Sequence, residues 1–245
     1  MPDLLTYGAH PAQVAELTRP GGSSRGVVVV VHGGFWRARY DWSLGRPLAT
    51  DLASRGWTTL NLEYRRVGDG GGVPETLDDV AAGIDLLETT GADTSTVVTL
   101  GHSAGGHLAT WAATRTRHPR WAGGVEVTHV VAQAGVLDLV RAARDRLGDG
   151  AVQAFLGGEP DEVPDAYALA DPAVQVPHDR PVWCVHARDD ENVPFAQSAD
   201  YVAALAATDG AATLVEVAGG HFDVIDPRTS AWARVVEVLA SIGTS

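Results

Sequence analysis

The chain has 245 residues, 45% of them hydrophobic, which is enough for one sizeable core and ordinary for a water-soluble globular protein. Its formal charge is −13, and all 18 basic residues are arginine. That balance argues against nucleic acid and anionic membrane as partners, and the absence of lysine removes Schiff-base, pyridoxal and phosphate-loop chemistry. The N-terminus MPDLLTYGAHPAQ carries neither a basic nor an apolar leader pattern, no apolar run approaches the ~18 residues of a membrane span, and the single cysteine, Cys184, has no internal disulfide partner. A cytoplasmic protein is expected.

In chain order, GVVVVVH (26–32) is a continuous β-branched run, the pattern of a strand buried on both faces. The loop after it reads His32-Gly33-Gly34-Phe35-Trp36. A helix over 43–56 closes at Gly56, and WTTLNLEY (57–64) is a second strand. The glycine loop GDGGGVP leads into the helix PETLDDVAAGIDLLET. TVVTL (96–100) is a third strand, followed without a gap by GHSAGGHLATW and a helix over 104–116. HVVAQAG (129–135), PVWCVHA (181–187) and TLVEVAG (213–219) complete six expected strands, with helices AQSADYVAALAAT and SAWARVVEVLASI around the last. This alternation predicts one α/β domain over 1–245: a mostly parallel sheet with helices on both faces. Residues 138–180 break the rhythm and are expected to form a small lid over the active edge.

Gly101-His102-Ser103-Ala104-Gly105 fits G-x-S-x-G at a strand–helix junction, the sharp turn that exposes a nucleophilic serine. The N–H of Ala104, directly after the serine, is a candidate oxyanion donor, and the HGGFW loop is expected to supply the rest of the hole. A nucleophilic serine needs a base and an orienting acid, in the order Ser, Asp or Glu, His on this kind of sheet. His221 follows the last strand and is the candidate base. Asp189 and Asp190 both follow the fifth strand, and spacing alone leaves the choice between them open. Asp226, before Pro227, is expected to cap the last helix. His32 is expected to brace its loop. His102 and His107 are five apart, off the spacing of a helical metal pair, and no metal or cofactor is expected.

HGGFW, GHSAGGHLA, HARDDENVP and GGHFD, in this order, resemble the α/β-hydrolase superfamily, and within it the esterase/lipase and kynurenine formamidase branch. The resemblance implies an α/β-hydrolase fold with a small lid insertion. It implies Asp190 as the acid, four residues before Pro194, with Ala187 standing where the family carries glycine. It also implies oxyanion donors at Gly34 and Phe35, and it implies that GDGGGVP and FLGGEPDEVPDAYALADP line or cover the pocket. The expected activity is hydrolysis of carboxylic esters with small or medium acyl groups through Ser103, His221 and Asp190, the partner being a small-molecule ester or amide substrate. An arylformamidase is the alternative, for which Trp36, Phe155 and Tyr167 would form an aromatic substrate wall. A ligand-binding protein on the same scaffold is a third reading. A monomer or a homodimer would suit any of them.

Overall fold

The computed structural model describes residues 2–242. Eight strands form one sheet: β1 (Asp3–Thr6), β2 (Val14–Thr18), β3 (Val27–Val31), β4 (Thr58–Leu62), β5 (Val97–His102), β6 (His129–Gln133), β7 (Val182–Ala187) and β8 (Ala212–Val217). Their spatial order is β1-β2-β4-β3-β5-β6-β7-β8. β1, β2 and β4 pair antiparallel, and every pair from β4 to β8 is parallel. Two of the eight, the edge strand β1 and its inner neighbour β2, are additions to the six read from the sequence. DLLT is almost wholly exposed and VAELT buries only Ala15 and Leu17, so neither presents an apolar run.

The parallel strands are connected through α1 (Arg46–Ser54), α2 (Glu75–Asp85), α3 (Ala104–Ala112), α4 (Leu139–Arg144), α5 (Leu147–Leu156), α6 (Pro164–Ala170) and α7 (Ala196–Ala206), and α8 (Ser230–Ser241) follows β8. Two apolar layers sandwich the sheet. Val27, Val29 and Val31 face α2, α3 and the helices of 139–170, whereas Val28 and Val30 face α1 and α8. A five-valine run is therefore what the period of two demands of a strand with a core on each side.

Residues 138–180 hold three short helices and a 3-10 turn. They pack on the α3 side: His107 Nε2–H donates to Ala170 O at 2.8 Å and Trp111 Nε1–H to Leu169 O at 3.1 Å. Because the central strands run parallel, β3, β5, β7 and the neighbouring β8 all end at one edge of the sheet, and their following loops meet there. Among the described residues no helix is long and apolar enough to cross a membrane.

Candidate active site

β5 runs into α3 through a single residue, Ser103, whose φ of 56° and ψ of −119° lie where non-glycine residues are rarely found. The turn closes only because its neighbours lack side chains. A Cβ on Gly105 would stand 2.1 Å from Val31 O, and one on Gly101 would stand 2.0 Å from Gly105 O. Ser103 N–H is tied to Gln133 O at 2.8 Å, which fixes the turn to β6. The serine is 2% exposed and opens onto a cavity of about 110 Å³.

The loop after β3 forms a second side of that cavity. Gly34 has φ 116°, and Phe35 and Trp36 follow at 53° and 55°, so three successive residues hold left-handed backbone. The loop is braced from beneath. His32 packs on the Tyr64 ring at 4.4 Å and accepts the Tyr64 hydroxyl proton at its carbonyl, 2.7 Å away. Its Nε2 lies 2.9 Å from Glu63 Oε1, and Nδ1 lies 2.8 Å from Gly33 O. Glu63 also accepts from Trp42 N–H and pairs with Arg66 at 3.2 Å. A buried carboxylate with this many partners holds one arrangement, because losing any partner leaves charge uncompensated. Among the described residues the N–H groups of Gly34, Phe35 and Ala104 donate to no protein acceptor. Gly34 and Phe35 line the cavity, and Ala104 N–H starts α3, whose N-terminal end favours negative charge.

The third side comes from the ends of β7 and β8. His221 Nδ1–H donates to Asp190 Oδ2 at 2.7 Å, and the Asp190 side chain is fully buried. Its Oδ1 accepts from the N–H groups of Asn192 and Val193, each at 2.8 Å. Burial opposes ionisation of Asp190, but hydrogen bonds from His186, His221 and Val193 N–H outweigh it and hold the carboxyl well below the usual range. Asp189 is exposed on the same loop. Spacing could not choose between the two; Asp190 is the one that faces His221.

Several expectations need correction. Trp36, Phe155 and Tyr167 are 0%, 1% and 3% exposed and do not line the cavity. Trp36 stacks on Phe155 at 4.7 Å and donates its indole N–H to His107, so the anticipated aromatic wall is a core layer behind α3. Neither GDGGGVP nor 155–172 lines the cavity; the 138–180 segment reaches the loop after β3 from behind, where Arg37 donates to Gly148 O and Gly148 abuts the Phe35 ring. Thr229, not Asp226, caps α8 by accepting from Trp232 N–H, while Asp226 pairs with Arg228.

The rim consists of residues the sequence did not single out: Tyr40, Leu44, Asn192 and Phe222. They come from three separate loops, and only Phe222, next to His221, had a signal in its position. His102 was also missed as a support. Its Nε2–H donates to His221 O at 2.8 Å, and burial pushes its pKa down to about 3, so it braces the loop as a neutral ring. Larger clefts exist elsewhere, including one of about 390 Å³ by Glu16, Arg46 and Asn61, but it is lined by no nucleophile–base pair.

A family model described as BD-FAE matches residues 17–205. Esterase LipC of Mycobacterium tuberculosis (strain ATCC 25618 / H37Rv) is 27% identical over 260 residues, covering 96% of this chain; the chain spans 63% of LipC's length. Among solved structures, a thermophilic esterase, Est2, from the Planctomycetes species Thermogutta terrifontis superposes with a TM-score of 0.79 at 20% identity, over 98% of this chain and 92% of that one. Esterase B from Lactobacillus rhamnosis superposes at 0.84 and 20% identity, over 98% and 84%. These likenesses establish the α/β-hydrolase fold.

Proposed function

The chain belongs to the BD-FAE family, and from that premise we propose that it is a serine hydrolase of carboxylic esters with short acyl groups. The observation that carries the reading is convergence: a serine on a strained strand–helix turn and a buried Asp–His pair open onto one small cavity. With Nδ1–H committed to Asp190, His221 keeps Nε2 as the base.

Ser103 Oγ attacks the ester carbonyl as His221 takes its proton. Gly34, Phe35 and Ala104 N–H groups receive the oxyanion, each worth about 2.7–4 kcal/mol in transition-state stabilisation. His221 then protonates the departing alcohol, and water releases the acyl group by the same route. Asp190 holds the tautomer and stabilises the imidazolium. A cavity of about 110 Å³ suits a short acyl group, being small against the ~300–1,000 Å³ of pockets for larger ligands. Esterase relatives support ester chemistry, and Est2 has been solved with butyrate and with propionate bound. The formamide alternative loses its aromatic wall to the core. The single thiol, Cys184, is buried and raised to about 12 by that burial, so it is inert and leaves Ser103 as the nucleophile.

The test is kcat/KM for a p-nitrophenyl series from acetate to octanoate beside N-formylkynurenine, with Ser103→Ala as the blank. Short esters should dominate, and Ser103→Ala should lose at least about 10³-fold in kcat while keeping its fold. Near-normal turnover by that variant would refute the assignment. A formylkynurenine rate orders of magnitude above every ester would replace ester hydrolysis with formamide hydrolysis.

A further inference from the structure

Two clefts meet at the mouth of the site and share two side chains. One is the cavity over Ser103. The other is an open groove of about 570 Å³ between Ser43–Pro47 at the start of α1 and Ile225–Arg228 before α8. Leu44 and Phe222 wall both. They are 36% and 62% exposed, and with Tyr40 they are three of the five exposed large hydrophobics among the described residues. Singly scattered exposed apolar residues need no explanation, but three on one rim of a nucleophile's cavity mark a binding surface.

The reaction gives the groove a direction. The leaving oxygen must take its proton from the base, so the alcohol half of an ester lies on the base's side of the nucleophile. The carbonyl oxygen points the other way, to Gly34 and Phe35. The next residue after His221 is Phe222, whose ring stands 5.1 Å from the imidazole at 82°. An alcohol departing past His221 therefore crosses Phe222 and enters the groove. Leu44, Pro47, Ile225 and Pro227 give it an apolar lining, and Arg228 at its end is already paired with Asp226 at 2.7 Å.

We propose that this groove is the alcohol-side subsite, taking an uncharged, bulky apolar alcohol. The proposal rests on the ester-hydrolase reading above. The cavity over Ser103 holds about 110 Å³ and the groove about 570 Å³, so a bulky group fits only in the groove.

Two selectivity ratios test this: cyclohexyl against ethyl acetate, whose alcohols have similar basicity, and ethyl acetate against ethyl butyrate. For the wild type, kcat/KM should favour cyclohexyl acetate by about tenfold or more. Pro47→Glu, which touches the groove alone, should lower the alcohol ratio about tenfold and leave the acyl ratio in place, and Phe222→Ser, which opens both clefts, should lower the alcohol ratio as well. Pro47 is exposed on α1 and does not line the cavity that His221 lines, so its variant separates the groove from damage to the base. An alcohol ratio near one, or a Pro47→Glu variant that moves the acyl ratio instead, would overturn the subsite while Ser103 still reacts with a fluorophosphonate. No turnover of any ester with Ser103 unlabelled would overturn the hydrolase reading and the subsite with it.

Discussion

Asp190 Oδ2 is shared between two imidazoles. His221 Nδ1 stands 2.7 Å away and His186 Nε2 3.2 Å away, with His186 Nδ1 held 2.7 Å from Ser198 Oγ. His186 is fully buried and touches neither the cavity nor Ser103. Its Nε2–H also faces Val193 O at 3.1 Å, so His186 is read as a positioning residue whose one N–H is shared between that carbonyl and the carboxylate. His186→Leu should lower kcat for p-nitrophenyl acetate by about 10–100-fold, the size of effect that a small misplacement of a reacting group produces. KM should hold, and His186→Gln should recover part of the loss by restoring a donor. An unchanged kcat, or a change confined to KM, would show that Asp190 needs no second imidazole. At this scale the sequence was informative where a motif fixes both residue and context. Ser103 sits in its G-x-S-x-G turn, and His221 follows the last strand. It failed for Trp36, Phe155 and Tyr167 because nearness to a motif says nothing about which way packing turns a ring.

At the scale of elements, the six-strand rhythm was legible because parallel strands buried on both faces must be apolar throughout, as the five valines of β3 show. β1 and β2 escaped notice because β1 is almost wholly exposed at the sheet edge and β2 buries only Ala15 and Leu17, so neither carries an apolar run. The 138–180 segment was opaque for another reason: its helices are short, α4 and α6 being six and seven residues and α5 opening in left-handed backbone at Gly148, Asp149 and Gly150, so none shows a helical period. What organises it is a buried carboxyl. Asp171, 0% exposed, accepts from Val140 N–H at the start of α4 and from Ala173 N–H in the turn after α6. Burial is the largest influence on it and raises its pKa to about 6, although those N–H groups oppose the rise. The unfolded carboxyl titrates near 4. Between roughly pH 4 and 6 the fold therefore keeps a proton that the unfolded chain gives up. This group's contribution is complete below pH 4 and falls away as pH rises through 6, by about 3 kcal/mol in all. Asp171→Asn removes the titration while giving up one acceptor. Urea midpoints from pH 4 to 7, compared with wild type, should show a more positive slope against pH in the variant. Parallel curves would show that Asp171 is ionised in the fold throughout.

Across the whole molecule, two buried histidines set the opposite trend. Burial lowers His102 to about 3 and His107 to about 4. His107 has no charged partner in direct contact: Nδ1 accepts from Trp36 Nε1–H at 3.2 Å, and Nε2–H donates to Ala170 O at 2.8 Å. It therefore joins the loop after β3 to the 138–180 segment as a neutral ring. Above about pH 6.5 both histidines are neutral folded or unfolded, and their full contribution is present. As pH falls below that, the unfolded chain binds two protons that the fold refuses. Each then costs up to about 1.4 kcal/mol per pH unit, until the folded ring titrates near its own lowered value. Asp171 returns at most one proton's worth over the same interval, so these groups together favour a decline in stability from pH 6.5 toward pH 5, to which His129 and His178, also lowered by burial, add. A net charge of −13 works against that decline, since acid relieves some self-repulsion. The histidine contribution is therefore read most cleanly as a difference between proteins. His107→Gln can still accept from Trp36 and donate to Ala170 but does not titrate. Its urea midpoint should fall less steeply than that of wild type between pH 6.5 and 5, the gap in stability closing by about 1–2 kcal/mol over that interval. If the two curves stay parallel, His107 takes up its proton in the fold as readily as in the unfolded chain, and the joint it makes between the loop after β3 and the 138–180 segment is open to water.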